Sequence, residues 1–365
     1  MALSQVGLER LNTATTKKIG TRKNIIINGA MQVAQRGTSF ADPATGSYTV
    51  DRFSMRNNSG TPAYTFSQDS DTPHGFNNSL KVACTTADAS PASGSISRIT
   101  YKIEAQDLQP LAKGTSSAEA STLSFYVKTN KTGVYTVFVY DDDNNRMFST
   151  SYTVSDTNWN RYTINIPADT TGAINDDNGT GFVINWGLSL GSDRTSGSLA
   201  STWATYSTAN EHVGNVNFAD NTSNVWAITG VQLEVGSVAT DFEHRSFAVE
   251  KRLCMRYYQQ YNNIMMVGYA PDNSSKSYSH GFTFPVEFRS APTLTISNTG
   301  STAGQYVTDG QFTKNITSLN SVACSTTFAE IYLNLSGDLV DYRGAYAVST
   351  TSTTHQTTYY ITAEL

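Results

Sequence analysis

The chain has 365 residues and a formal net charge of −5, and only 15% of its residues are charged. A mildly acidic chain without a Lys/Arg cluster is a poor candidate for nucleic-acid binding, because phosphate contacts need concentrated positive charge. No run approaches the roughly 18 apolar residues that a membrane span needs. The composition, with 20 Tyr, 16 Phe and abundant Asn, Ser, Thr and Gly, is typical of short strands joined by many turns. We therefore predict an all-β protein with neither a nucleic-acid partner nor membrane insertion, long enough for two domains.

The first segment, residues 1–23, is polar and has only a few apolar positions around Val6–Leu11. We predict an N-terminal arm that anchors the protein to a partner. Its sequence lacks the basic-then-apolar order of a secretion signal, so we expect the protein to be made and used without export.

Residues 24–246 carry the pattern of a jelly-roll β-sandwich. In the runs LSFYVKT and VYTVFVY every second residue is apolar, which is the pattern of a strand with one buried face. Strands at this spacing, joined by Gly, Asn and Asp turns, predict a sandwich of about ten strands. The predicted strands are Asn24–Asn28, Met31–Gln35, Tyr48–Met55, Ala63–Ser67, Leu80–Cys84, Ile96–Glu104, Leu123–Thr129, Val134–Tyr140, Met147–Val154, Tyr162–Ile166, Phe182–Leu190 and Val225–Val235.

Residues 247–263 have a helical period, and we predict a short helix that connects two domains. Its apolar face contains Phe247, Cys254, Tyr258 and Tyr261, with Leu253 and Tyr257 beside it. So short a helix gains stability by packing against symmetry mates, and the four residues of the face are therefore predicted trimer contacts.

Residues 264–365 repeat the β pattern and predict a second, smaller β-sandwich. Pro285 and Pro292 mark an edge or a strand start, since proline cannot donate to a ladder. In the last run, Tyr359, Ile361 and Ala363 share one face. An apolar strand of this kind is expected to be paired.

One motif matches an enzyme pattern. The run Gly187–Gly191 fits G-x-S-x-G, whose serine must lie on a sharp turn between a strand and a helix. Here Ser189 lies inside an apolar strand pattern with no helical period after it, so we predict a strand interior and a protein that is not an enzyme.

Candidate metal ligands give no convincing set. The run Asp141–Asn145 resembles the start of a calcium loop, but Arg146 and Tyr152 stand where the pattern needs glycine and glutamate. We predict a hairpin turn there, with a weak calcium site as the alternative. Five scattered histidines and three distant cysteines, Cys84, Cys254 and Cys324, lack the spacing of a zinc site. No metal or cofactor is therefore predicted, and the cysteines are predicted to be buried thiols.

Aromatic side chains are the remaining chemical resource, because they stack on sugar rings. Trp186 and Trp226 lie on apolar strands and are predicted to pack in the core. Trp159 and Trp203 lie in polar loops, so we take them as candidate glycan-stacking residues.

Three segments resemble virion proteins of tailed bacteriophages, especially the fibre and appendage proteins of marine and cyanobacterial phages. The first is NIIINGAMQVAQRGTSF, Asn24–Phe40, followed by YTVDRF, Tyr48–Phe53. The second is ITGVQLEVGSVATDFEHRSFAVEKRLCMRYYQ, Ile228–Gln259, and the third is FTFPVEFRSAPTLTIS, Phe282–Ser297. The first two look like the entry and exit of a carbohydrate-binding-module-like jelly roll, and the third is similar to the small β domain that often follows.

The resemblance implies a homotrimeric tail fibre, or a fibre-like appendage on the tail or capsid of a virion. It would bind other virion proteins through its arm and host cell-surface carbohydrate through its β domains. Two alternatives stay open: a capsid decoration or tail joining protein with a purely structural role, and a polysaccharide-degrading tailspike. The tailspike would need close carboxylates in a cleft.

Overall fold

The computed structural model describes residues 23–58, 62–262, 266–269, 276–299, 305–308, 313–337, 344–349 and 356–365. The described residues form two compact units. The first contains the residues up to Gln32 and Thr38–Arg245, and the second contains Val33–Gly37 and Ser246–Leu365. The sequence prediction placed 24–246 whole in one domain, whereas Val33–Gly37 groups with the second unit. Of the predicted arm 1–23, all but Lys23 lies outside the described residues. Within the described ranges, no helix is long and apolar enough to cross a membrane.

The described part of the first unit is built from strands. They are β1 (Ser39–Ala41), β2 (Phe53–Asn57), β3 (Ala63–Asp69), β4 (Ser79–Thr86), β5 (Ile96–Glu104), β6 (Ser121–Thr129), β7 (Gly133–Asp141), β8 (Arg146–Val154), β9 (Asn160–Ile166), β10 (Thr180–Leu190), β11 (Ala204–Thr205) and β12 (Val225–Val235). A 3₁₀ helix of seven residues, Ala105–Leu111, follows β5.

These strands form two antiparallel six-stranded sheets. The order is β1-β3-β4-β12-β6-β9 in the first sheet and β11-β8-β7-β10-β5-β2 in the second. Strands that follow one another in sequence mostly lie in different sheets. Among these twelve strands, only β3–β4 and β7–β8 form hairpins. The predicted all-β class and jelly-roll sandwich are confirmed.

The core lies between the two sheets and follows the alternation of the strands. On β10, Phe182, Ile184 and Trp186 belong to the core cluster, so the residues between them face away from it. Trp186 and Trp226 are fully buried, as predicted. Burial of an indole of about 200 Å² stabilises the folded state by roughly 5 kcal/mol relative to exposure in the unfolded chain.

The two ends of the first unit meet in space. The amide of Ile25 donates to the carbonyl of Leu233 (2.9 Å), and the amide of Val231 donates to the carbonyl of Gly29 (2.9 Å). The prediction of strands at Asn24–Asn28 and Met31–Gln35 is wrong, because neither segment forms a regular strand. Positive φ angles at Asn28 (61°) and Met31 (55°) break the extended backbone that a ladder requires.

The predicted helix 247–263 is wrong in its second half. The helix, α1, spans Phe247–Cys254, and Ser246 caps it by accepting a hydrogen bond from the amide of Val249. Strand β13 (Tyr258–Asn262) follows and pairs with β21 (Gln356–Thr362), with Tyr258 opposite Thr362. The local aromatic spacing suggested that the helix continues here. Instead, the segment pairs as a strand with residues about a hundred positions away.

The remaining strands complete the described part of the second unit. They are β14 (Met266–Tyr269), β15 (Lys276–Thr283), β16 (Thr293–Thr299), β17 (Gln305–Thr308), β18 (Thr313–Cys324), β19 (Phe328–Leu335) and β20 (Gly344–Ser349).

The described strands of this unit form two sheets. One has three strands in the order β13-β21-β16, and the other is a closed barrel in the order β14-β15-β19-β18-β17-β20. The barrel takes the place of the predicted second sandwich, while the all-β class holds. The last predicted strand is paired on both sides, and Tyr359, Ile361 and Ala363 are buried in the core of the unit together with Phe284 and Phe288.

Candidate functional site

The outer face of the second sheet carries polar and aromatic side chains in three cross-strand rows. The register places Lys102 opposite Val183 and Val183 opposite Tyr140, and in the next row Thr100 lies opposite Asn185. In the third row Arg56 lies opposite Arg98. Because side chains alternate along a strand, these residues all face away from the core that Phe182, Ile184 and Trp186 form. We call this surface the outer face.

Two tyrosines form an aromatic pair on the outer face. The rings of Tyr140, on β7, and Tyr206, in the loop after β11, lie 5.1 Å apart at 65°. Both remain partly exposed, while Phe138, 6.1 Å from Tyr206, is buried beneath them. Tyr140 donates through its hydroxyl to Asn145 Oδ1 (3.1 Å). Burial and then the nearby Asp142 carboxylate raise the pKa of Tyr140, so it stays a neutral hydroxyl donor at physiological pH.

A buried ion-pair network supports this pair. Glu211 Oε2 accepts from Arg98 Nη1 (2.9 Å) and from Arg194 Nη1 (2.6 Å). Glu211 Oε1 accepts from the hydroxyl of Tyr206 (2.6 Å). Only 1% of the Glu211 side chain is exposed, so the network fixes the position of Tyr206 with little freedom. Burial lowers the pKa of Arg98 to about 10, and its guanidinium remains charged at neutral pH.

The loop that holds Glu211 is seated on the sheet through His212. This fully buried imidazole has its Nδ1 2.8 Å from Oγ1 of Thr136, on β7. Burial first, and then the charges of Arg98 and Arg194, lower the pKa of His212 well below its usual value, so it is neutral at physiological pH. Gly187 makes room for this contact, because a Cβ there would lie 2.8 Å from His212 Nδ1.

Charged side chains lie near the tyrosine pair. Lys102 is half-buried on β5, in the same row as Tyr140, whereas the exposed Arg56 on β2 lies farther away, in the row of Arg98. Asp142 is exposed on the β7–β8 turn. Burial raises the pKa of the Asp142 carboxyl, and Lys102 opposes that shift, which places the two charges near each other. The site therefore offers aromatic faces, hydroxyls and nearby charged groups on a rigid sheet.

The predicted stacking residues Trp159 and Trp203 do not come together. Trp159 immediately precedes β9, and its Nε1 donates to Asp71 Oδ1 (3.0 Å). Trp203 donates to the carbonyl of Pro167, immediately after β9 (2.9 Å). The seven residues of β9 separate the two contacts by about 23 Å. Trp203 is half-buried against the core cluster, so the two indoles cannot form one platform.

The four predicted trimer contacts have different environments. Phe247 is 55% exposed at the start of α1, and Val249, two positions farther along the helix, is 50% exposed. Cys254 and Tyr258 are buried within their own unit, and Tyr261 is half-buried and packs against its core. The single apolar face that the sequence predicted is therefore wrong, because Tyr258 and Tyr261 belong to a strand.

The other predicted motifs are structural. Ser189 lies inside β10, almost fully buried, and donates to Asn217 Oδ1 (2.8 Å), which confirms the strand interior. The run Asp141–Asn145 forms the β7–β8 hairpin turn, as predicted. The described residues hold no group of three or more His, Cys, Asp or Glu side chains suited to a metal. Cys84 and Cys254 are buried free thiols, as predicted, whereas the free thiol of Cys324 is only half-buried.

A second aromatic cluster lies on the first sheet. Phe76 contacts Tyr126 (5.5 Å), Phe242 (5.0 Å) and His244 (5.2 Å) between ring centroids. These rings pack on one another and hold the segment that leaves β12 against the sheet. Their faces are occupied by their own neighbours, so the cluster is a weaker candidate for a ligand than the outer face.

Neither a scan against protein-family models nor a search of the curated proteins gives a match for this chain. The similar solved structures include a family 11 carbohydrate-binding module from Clostridium thermocellum in complex with a β-1,3-1,4-mixed-linked tetrasaccharide. It shows 11% identity and a TM-score of 0.29 over 57% of this chain and 98% of that chain. The tandem CBM22-1–CBM22-2 domains of Paenibacillus barcinonensis Xyn10C show 10% identity and a TM-score of 0.29 over 91% and 98% of the two chains. TM-scores of this size do not establish a shared fold, and the sandwich is assigned from its own strand pairing.

Proposed function

We propose that this protein is a non-enzymatic attachment protein that binds glycans through the outer face. The observation that carries the proposal is the Tyr140–Tyr206 pair, partly exposed on a rigid sheet and held by the buried Glu211 network. Aromatic faces pack on the apolar faces of sugar rings, and the hydroxyls and amides beside them hydrogen-bond sugar hydroxyls. Glu211 is ion-paired with two guanidinium groups, so it is better suited to positioning Tyr206 than to transferring a proton.

The virion role is a separate part of the proposal and rests on the sequence resemblance. The segments Asn24–Phe40, Ile228–Gln259 and Phe282–Ser297 resemble fibre and appendage proteins of tailed phages. We propose a tail fibre or a fibre-like appendage on a virion, anchored to other virion proteins by residues 1–23. Weak binding at each site would be strengthened by the many copies on one particle. Electron cryo-microscopy of the virion, and particle assembly with a protein beginning at Asn24, test the location and the arm.

Glycan binding is tested by titrating oligosaccharides into the full-length protein and its variants. Tyr140→Ala removes one ring of the pair, and we expect affinity to fall by about tenfold or more, as for other aromatic hot spots. Tyr206→Phe keeps the ring but loses the bond to Glu211, and should have a smaller effect. Trp159→Ala is the matched control and should bind like the wild type. Loss of binding in Trp159→Ala with full binding in Tyr140→Ala would place the site elsewhere.

Self-association is a second candidate role, and the exposed side chains of Phe247 and Val249 favour it. Two large apolar side chains half-exposed on one short helix gain by contact with another copy. We propose that α1 contributes to a homotrimer through these residues, in place of the longer face predicted from the sequence. Light scattering should give a trimer mass for the wild type and a smaller mass for Phe247→Ser/Val249→Ser. A monomeric wild type at micromolar concentration would remove this role.

A further inference from the structure

The histidine that seats the Glu211 loop on the second sheet has one ring nitrogen without a partner. Nδ1 of His212 lies 2.8 Å from Oγ1 of Thr136, whereas Nε2 is buried and has no hydrogen-bond partner among the described residues. Most buried polar atoms in folded proteins have a partner, so this nitrogen needs an explanation.

Hydrogen bonds around Thr136 determine which nitrogen of the ring carries the hydrogen. The side-chain nitrogen of Asn215 donates to the carbonyls of Leu188 (3.2 Å) and Val216 (2.7 Å). Its Oδ1 therefore faces Thr136, where it accepts from the backbone amide (2.9 Å) and from the hydroxyl (2.8 Å). Because the hydroxyl has one hydrogen and donates it to Asn215, it can only accept from His212. The neutral ring thus carries its hydrogen on Nδ1, and a further proton would bind at Nε2.

A proton on Nε2 would add charge to a group that is already positive. The guanidinium groups of Arg98, on β5, and Arg194, after β10, share the single carboxylate of Glu211. The other oxygen of this carboxylate accepts from the hydroxyl of Tyr206. Two cations and one anion sum to +1, and an imidazolium at His212 would raise the sum to +2 in a buried site.

The sheet beneath the ring does not compensate this charge. Strand β7 contributes Thr136 and Phe138, whose ring centroid is 5.9 Å from that of the imidazole, and β10 contributes Gly187. None of these three side chains is charged, and Arg56, on the edge strand β2 beside β5, is a further cation. Burial first, and then the two guanidinium groups paired with Glu211, hold the pKa of His212 well below its ordinary value of 6.5.

We propose that acid opens this loop: a proton on Nε2 of His212 displaces the segment of Glu211, frees the ring of Tyr206 and lowers the affinity of the outer face for its glycan. This inference rests on the proposed glycan binding and adds the regulation of that site by pH. The sign follows from linkage, because an open loop exposes His212 with the ordinary pKa of 6.5 and the closed loop holds that pKa lower. The closed loop is favoured in full above pH 6.5. Below it, the open form gains up to about tenfold for each pH unit until the pKa of the closed loop is reached.

Glycan titrations at two pH values test the effect on binding. The probe is the tightest binder at pH 7 among neutral gluco-, galacto-, manno- and xylo-oligosaccharides, because a neutral ligand does not titrate itself. We expect its affinity for the full-length protein to fall by about threefold or more from pH 7 to pH 4.5. His212→Asn keeps an amide donor for Thr136 but cannot gain a proton, so its affinity should stay within about twofold over this range. His74→Asn changes an exposed histidine of the first unit and is the matched control, which should keep the full pH dependence.

Nuclear magnetic resonance of the protein with ¹⁵N-labelled histidine and backbone tests the loop without a ligand. The imidazole signal that His212→Asn removes should show a neutral ring with its hydrogen on Nδ1 at pH 7. Below pH 6.5 it should convert to the charged form together with shifts of the Tyr206 and Asn215 amides, which bond to Asn145 and His212 in the closed loop. A hydrogen on Nε2 at pH 7, or a charged ring with unchanged amides, overturns the inference.

The two measurements separate the inference from the proposed function. Equal affinity of the wild type at pH 7 and pH 4.5 overturns the acid opening and leaves glycan binding intact. The same fall in affinity in His212→Asn as in the wild type assigns the pH dependence to another group and also overturns it. Absence of binding at pH 7 counts against the proposed function, and the ring and amide signals alone then decide whether acid opens the loop.

Discussion

The ammonium nitrogen of Lys113 lies 2.6 Å from Oδ2 of Asp141, and at most 3% of either side chain is exposed. The same nitrogen is 3.1 Å from Oδ2 of Asp169 and 2.9 Å from the carbonyl oxygens of Thr171 and Gly172. Two carboxylates and two carbonyls around one centre are the oxygen ligands that calcium takes in proteins. In this protein a covalently attached ammonium group fills that position and joins three loops.

Replacing Lys113 should destabilise the first unit strongly. Lys113→Met keeps the length of the side chain but leaves the buried Asp141 without its cation and Asp169 with Arg146 alone. Removing one partner from a buried ion pair costs about 3–5 kcal/mol of unfolding free energy. Chemical denaturation measures the change, and Lys128→Met is the matched control. Lys128 forms an exposed pair with Asp71 at 2.7 Å, which should be worth at most about 1 kcal/mol. Similar losses in the two variants would contradict this account.

Calcium should restore thermal stability to a variant with a shorter side chain at position 113. Lys113→Ala leaves the four oxygen atoms in place and removes the ammonium group that occupied their centre. We expect the melting temperature of this variant to rise in millimolar Ca²⁺ and to return with EDTA, while the wild type responds to neither. The double variant Lys113→Ala/Asp141→Asn should respond less, since it lacks one carboxylate charge. A Lys113→Ala protein that ignores Ca²⁺ would show that the oxygens do not hold their arrangement without Lys113.

The same cluster should contribute to acid sensitivity. Burial alone would raise the pKa of Asp169, but hydrogen bonds from Arg146, the Thr171 amide and Lys113 outweigh it and hold the pKa below its ordinary value of 3.8. A carboxyl with a lowered folded-state pKa stabilises the fold above its unfolded pKa, near 4, and loses that contribution as pH falls further. The melting temperature of the wild type should therefore drop below pH 4. Asp169→Asn should start lower at pH 7 and fall less steeply, and parallel curves would exclude this role.

Gly187 should be intolerant of even one methyl group. A Cβ at this position would lie 2.7 Å from Asn215 Oδ1, 2.8 Å from His212 Nδ1 and 2.9 Å from Thr136 Oγ1. Gly187→Ala must therefore displace the loop that carries Glu211, with a loss of about 1–3 kcal/mol, as for other overpacked sites. Gly94→Ala is the control, because its nearest neighbour, Asp193 Oδ2, is 3.8 Å away. Denaturation and glycan titration should both distinguish the two variants, and a Gly187→Ala protein equal to the control would contradict the close packing.

Strand positions in the first unit could be predicted from the sequence because alternation is a local property. Ile96–Glu104 and Val225–Val235 match their strands to the residue. The helix predicted through Tyr261 failed because spacing by three and four residues fits the aromatic positions equally well in a helix and in a turn followed by a strand. The deciding interaction, Tyr258 opposite Thr362, lies far along the chain.

The candidate site was missed for a related reason. Alternation in VYTVFVY assigns Phe138 and Tyr140 to the same outward face, and two aromatics on a nominally solvated face were the available signal. The sequence could not show that the loop with Tyr206 and Glu211 folds back over them. Trp159 and Trp203 were favoured because indoles in polar loops suggest exposure, but Asp71 and Pro167 satisfy their N–H groups.

During synthesis the sandwich cannot be completed until Leu233 has been made, because Asn24 and Ile25 hydrogen-bond to it. The amide of Leu233 donates to Asn24 Oδ1 across 209 positions of sequence. At 5–20 residues per second, a ribosome needs roughly 10–40 s to synthesise that interval. Strands β4 and β6 both pair with β12, the last strand of the unit to be made. Until β12 emerges, those strands present unpaired edges to other nascent chains, so yield during expression should depend on how quickly the ribosome reaches Val235.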